Sequence, residues 1–158
     1  DFHKTHLAKP IKDVAKILFD FNNEQLHGSL KETVDPDWGI TPRKVMQFIG
    51  TELFRDNMGR LIPQVEKNFW LHVFKNNYIE LQKKYGKDVN VVVADIRFQN
   101  EVNFIKSMGG IKVMRPSKMS KDSHQSELEI HTIKNYDKLI INDSTLEDYY
   151  DSIEKIMT

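Results

Sequence analysis

Residues 89–94 read Val-Asn-Val-Val-Val-Ala, five apolar residues in six, and the run continues straight into Asp95, Arg97 and Glu101 ("VNVVVADIRFQNEV"). A β-branched stretch with almost no polar alternation fits a parallel strand buried on both faces, because strands with one wet face alternate. Parallel neighbours in turn need crossover connections, usually helical. The sequence supplies them. After this strand, "NEVNFIKSMGG" reads as a helix ended by glycine, "IKVMRP" as a second short strand and "DKLIIND" as a third, with Ser144 capping a closing helix, "TLEDYYDSIEKIM". Upstream, "PIKDVAKILFDF" carries Ile11, Val14, Ala15, Leu18 and Phe19 at helical spacing. In "TPRKVMQFIGTELFRDNM", Thr41 is the N-cap, Pro42 the first helical residue, and Val45, Met46, Phe48, Ile49 and Leu53 the buried stripe. A third helix, "EKNFWLHVFKNNYIELQKKYG", has Phe69, Val73, Phe74, Tyr78 and Leu81 inward and Gly86 as its end. The polar stretch "NNEQLHGSLKETVDPDWG" reads mostly as loop. The expected fold class is therefore α/β, layered around a mostly parallel sheet, in a single domain over residues 1–158.

Charge and composition limit what such a domain binds. Lys and Arg together number 23 and so do Asp and Glu, so the chain is not a globally basic nucleic-acid binder. Any anion has to be met by a local cluster. Cysteine is absent, which excludes disulfides and thiolate metal sites. The six histidines, at 3, 6, 27, 72, 124 and 131, lack a ligand spacing such as HExxH, so no metal site is expected and most read as surface residues. No apolar run approaches the roughly 20 residues of a membrane span, and "DFHKTHLAKP" has no signal-peptide hydrophobic region, so a cytoplasmic protein without membrane partners is expected.

Ligands of open parallel sheets collect at the carboxyl ends of strands, where loops diverge. Asp95 and Arg97 sit at such an end, read either as a local ion pair or as part of an anion site, and Arg115, just after the next strand, favours the second reading. Lys9 and Lys12 flank Pro10 at a helix start, where a cation opposes the helix dipole; anion contact explains Lys12, and an ordinary solvated lysine fits Lys9. Arg43, Gln47, Gly50 and Thr51 fall broadly on one side of an α-helix, as a pocket wall or as a plain polar face. Gly50 in mid-helix costs about 1 kcal/mol against alanine and calls for a close approach. The segment "SHQSE" adds His124, Ser126 and Glu127. A nucleophile elbow (GxSxG) is missing, and "KKYGKDV" has Leu81 where a P-loop needs its first glycine.

Taken together and in order, "LAKPIKD", "WGITPRKVMQFIGTELFR", "FW" at 69–70, "VVVADIRFQNE" followed by "GG" and "VMRP", "HQSE" and "IINDSTLEDYYDSI" resemble the phage-type and viral deoxynucleoside monophosphate kinases of the P-loop kinase fold, over almost the whole chain. The resemblance implies a three-layer fold of that kind, with its first strand and P-loop helix missing from these residues. It implies transfer of the γ-phosphoryl of ATP to a deoxynucleoside monophosphate, with Mg²⁺ as cofactor, a small-molecule nucleotide as partner and a homodimer left open. By resemblance, Lys12, Arg43 and Arg97 hold the monophosphate or the transferring group, and Arg115 reaches ATP from the lid side, where His124 and Glu127 also lie. Gln47, Thr51 and Trp70 line the base and sugar pocket. Asp95 orients Arg97 or organises Mg²⁺ through water, and Glu101 holds a sugar hydroxyl or an arginine. A longer kinase of which this is the larger part is the favoured expectation, since losing a central first strand exposes an apolar edge; a catalytically inactive nucleotide-binding remnant is the alternative.

Overall fold

The computed structural model describes residues 2–7, 9–110, 113–114, 137–139 and 145–157. The chain divides into two compact units, Asp1–Ile96 and Arg97–Thr158, so the boundary falls inside the "ADIR" stretch.

The first unit holds strand β1 (Phe2–Thr5), helices α1 (Lys9–Phe19), α2 (Asn23–His27), α3 (Pro42–Gln47) and α4 (Phe69–Tyr85), and strand β2 (Asn90–Val93). β1 and β2 run parallel in register from Phe2 opposite Asn90 to Thr5 opposite Val93. The parallel direction expected for the valine run is thus observed, but its partner "FHKT" carries no strand signature that sequence reading could use. Burial on both faces is not observed. β2 alternates between exposed and half-buried residues, Val92 is 44% exposed, and β1 is its one neighbour strand among the described residues.

The core of this unit is a cluster of Ala15, Phe21, Leu26, Val45 and Ile49, with Ile11, Val14, Phe19, Ile40, Met46 and Phe54 packed against it. Fully burying a side chain such as Phe21 contributes about 1.5–3 kcal/mol, so the cluster dominates the fold's local stability. α1 therefore packs as its periodicity predicts, except that Leu18 stays exposed. The stretch read as loop after α1 contains a helix. Asn22 and Gln25 form a reciprocal capping box, Gln25 N donating to Asn22 Oδ1 at 3.0 Å and Asn22 N to Gln25 Oε1 at 2.9 Å. That cap starts α2, and α2 delivers Leu26 to the core and His27 to the surface. A 3₁₀ turn at Ser29–Glu32 follows it.

Thr41 and Pro42 start α3 as expected, with Lys44 N donating to Thr41 Oγ1 at 3.3 Å. After Gln47 the backbone rewinds as a π-helix over Phe48–Asp56. Widening the turn changes which residues face inward: Phe48 and Leu53, expected in the buried stripe, are exposed, and Gly50, Thr51 and Arg55 are buried. Gly50 and Arg55 are five apart, the hydrogen-bond spacing of a π-turn. The close approach demanded by Gly50 is real, for a Cβ there would lie 2.8 Å from Ile11 Cδ1. On its other side Trp70 Nε1 donates a buried 2.7 Å hydrogen bond to Gly50 O, and the indole packs against Phe54 and Phe69. α4 ends at Gly86, whose φ of 102° favours glycine.

The second unit holds α5 (Gln99–Ser107), β3 (Val113–Met114), β4 (Lys138–Leu139) and α6 (Leu146–Met157). β3 and β4 pair in parallel, Val113 opposite Lys138, and Lys106 Nζ bonds Asp137 Oδ1 at 3.0 Å where β4 begins. Ser144 lies outside the described residues. The cap of α6 is its neighbour Thr145, whose Oγ1 accepts from Asp148 N at 3.2 Å and whose carbonyl accepts from Tyr149 N. The described residues make a helix-rich α/β protein with small parallel sheets.

Replacing Trp70 by Phe keeps a ring of similar shape and leaves Gly50 O without its indole donor. Unfolding in urea, followed by circular dichroism, is expected to show a loss of about 1–3 kcal/mol; an unchanged midpoint would show that this bond contributes nothing.

Candidate functional site

The carboxyl ends of β1 and β2 are tied together by Asp95, whose Oδ1 accepts from Leu7 N at 2.9 Å and whose Oδ2 lies 4.0 Å from His6 Nδ1. α1 starts immediately beyond. Lys9 forms an exposed ion pair with Asp13 at 3.1 Å, in line with a solvated lysine. Lys12 is different: it is half-buried, and its Nζ lies 3.2 Å from Nδ1 of His27 on α2. Burial, and then the nearby Lys31 ammonium, lower the Lys12 pKa, with Asp95 opposing. The His27 pKa is lowered by desolvation first, then by Lys12 and Lys31. Cationic side chains from α1 and from the segment after α2 thus converge beside the strand exits.

Arg43, on α3, pairs with the Glu32 carboxylate and is partly exposed. Such an exposed pair contributes at most about 1 kcal/mol, so an incoming anion can displace it at small cost. Gln47 is half-buried and Thr51 buried, and Trp70 is buried too, its indole N–H engaged by Gly50 O and its ring packed against Phe54 and Phe69. Ile11 against Gly50 joins the helix bearing Lys12 to the one bearing Gln47 and Thr51. Arg55, which periodicity did not single out, is 6% exposed, with Nη1 3.9 Å from Asp56 Oδ1. His27, not singled out from the sequence, stands beside Lys12; the Asn22–Gln25 capping box was the signal that could have placed it on an ordered element.

In the second unit Glu101 caps α5, its Oε2 accepting from Arg97 N at 2.8 Å and Phe98 N at 3.0 Å in a buried setting. Arg97 is half-buried at the entry to that helix. Arg115, His124 and Glu127 lie outside the described residues. Among the described residues no three His, Asp or Glu side chains gather as ion ligands, and one oxygen of Asp95 is already engaged by Leu7 N. The described donors do not make a Mg²⁺ site. No described helix is long and apolar enough to cross a membrane.

Parallel strand exits are where ligands of α/β proteins collect, and comparison with known proteins gives the family. A family model described as deoxynucleotide monophosphate kinase matches residues 2–153. A protein of Acanthamoeba polyphaga mimivirus, provisionally named deoxynucleotide monophosphate kinase, is 42% identical over 157 residues, covering 96% of this chain and 81% of its own. The deoxynucleotide monophosphate kinase of Escherichia phage RB69 is 31% identical over 127 residues, covering 78% of this chain and 47% of the phage protein. The chain belongs to the deoxynucleotide monophosphate kinase family.

Two measurements check this geometry. Glu101→Ala removes the acceptor of two backbone donors and is expected to cost about 1–3 kcal/mol in urea unfolding; a cost near zero would mean that water caps α5 equally well. The folded-state pKa of His27 lies below its unfolded value of 6.5, so the unfolded chain takes up a proton that the folded chain resists. This contribution is present above pH 6.5 and is lost as pH falls from there toward the folded value. The stability slope in that window should shrink in His27→Gln, and an identical slope in both proteins would rule His27 out as its source.

Proposed function

We propose that the protein transfers the γ-phosphoryl group of ATP to a deoxynucleoside 5′-monophosphate, giving the diphosphate and ADP. The observation that carries this reading is the family match across residues 2–153. Phosphoryl transfer asks chiefly for positioning and charge neutralisation, because the negative charge spreads over the transferring oxygens. The chain's own residues suit that demand. Lys12 and Arg43 hold the acceptor's phosphate, Arg43 leaving Glu32 for it. Gln47 and Thr51 hydrogen-bond the base and sugar, and Trp70, whose N–H is kept by Gly50 O, supports that helix from behind. Asp95 fixes the strand exit by holding Leu7 N and favours the charged form of Lys12, opposing burial and Lys31.

Arg97 and Arg115 are assigned to the transferring group, and His124 and Glu127 to the lid, by the resemblance alone. Glu101 supports Arg97 by capping the helix that follows it. ATP supplies the phosphoryl group and Mg²⁺, when bound, neutralises its oxygens; no residue described above is given the task of holding either.

A coupled assay of ADP release by the full-length gene product, with each deoxynucleoside monophosphate in turn, tests the proposal. Turnover with at least one is expected, and Arg43→Ala should raise KM for that acceptor roughly 10- to 100-fold with a smaller change in kcat. No turnover with any of them would overturn the kinase reading, and tight binding without turnover would leave a nucleotide-binding remnant.

A further inference from the structure

The contact between Lys12 and His27 fixes a protonation state. An ammonium group has three donors and no acceptor, so Nζ at 3.2 Å from Nδ1 makes that ring nitrogen the acceptor. His27 is then neutral with its proton on Nε2. An exposed histidine held neutral against a lysine is an arrangement that an anion would rearrange, since Lys12 would turn to the anion and free Nδ1.

The charges around the pair favour that exchange. Facing His27 are Lys12 and Asp13 from α1, Lys31 from the turn after α2, and His6 beyond β1. Asp13 is occupied by Lys9, and Asp95 is the carboxylate that acts on Lys12. Two ammoniums against one carboxylate leave a local excess of positive charge beside the strand exits. A phosphate monoester carries about −1.5 to −2 at pH 7, which overcompensates the excess. A proton on His27 restores the balance and adds a second ring donor.

We propose that Lys12, His27 and Lys31 form one anion subsite that takes the phosphate monoester of the substrate, with His27 accepting a proton from solvent as the anion displaces it from Lys12. This rests on the kinase reading for the identity of the substrate, and it adds to that reading His27 and Lys31 as phosphate ligands and a proton taken up on binding. Binding then strengthens as pH falls from about 8 toward 6.5, for as long as the phosphate remains a dianion.

The test is isothermal titration of the protein, near pH 7.5, in two buffers of different ionisation enthalpy, with each deoxynucleoside monophosphate and separately with inorganic phosphate. The difference in apparent enthalpy reports protons taken up. Wild type is expected to take up a fraction of a proton more than His27→Gln with either ligand. His27→Gln, at an exposed position where folding is checked by circular dichroism, should lose that uptake, and Lys31→Met should bind about tenfold more weakly or worse. If monophosphate binds and is turned over but His27→Gln shows the same affinity and uptake, the subsite falls and the kinase reading stands. If phosphate binds with His27-dependent uptake and no monophosphate is turned over, the subsite stands and the kinase reading falls. If neither ligand binds, both fall.

Discussion

The buried hydrogen bond from Trp70 to the carbonyl of Gly50 holds together the part of the molecule on which the rest depends. At Gly50 three helical segments meet: α1 through Ile11, the π-helical turn through its backbone, and α4 through the indole. Interiors are packed densely enough that a shift of one side chain is felt by its neighbours. Lys12, one position from Ile11, and Thr51, one position from Gly50, therefore inherit their positions from this crossing. A side chain at residue 50 would first meet the flexible end of Ile11, so Ile11 would have to turn aside to admit it.

Electrostatics adds a second layer. Asp95 ties the two strand exits through Leu7 N and offsets part of the positive charge that Lys12 and Lys31 bring together. Without it, two ammoniums near one another would repel and burial would press Lys12 further toward its neutral form. The Glu32 carboxylate offsets the charge of Arg43 in a comparable way. Basic side chains paired with exposed, weak partners stay oriented at small cost in stability.

Much of the fold was legible in the residues. The valine run announced a parallel strand, Thr41 and Pro42 announced the start of α3, and Gly86 the end of α4, because each rests on a local rule: β-branching, capping, or a φ that favours glycine. What escaped were features whose cause is distant. "FHKT" is too short and polar to be a strand except against β2. The inward turn of Thr51 and Arg55 depends on π winding, which a 3.6-residue period cannot reveal.

For function the division is similar. Order and identity of motifs along the chain, from "LAKPIKD" to "IINDSTLEDYYDSI", were enough to point to a deoxynucleoside monophosphate kinase, because chemistry fixes residue types at a site and sequence records them directly. The sequence by itself therefore determined the family and the candidate arginines and lysine. Tertiary structure alone decided what each polar group already does before substrate arrives: Glu101 caps a helix, the Trp70 N–H is spent on a carbonyl, and His27 accepts from Lys12. Hydrogen-bond partners lie far apart in sequence, 88 residues in the case of Leu7 and Asp95, and no local pattern encodes a contact that forms only when the chain has folded.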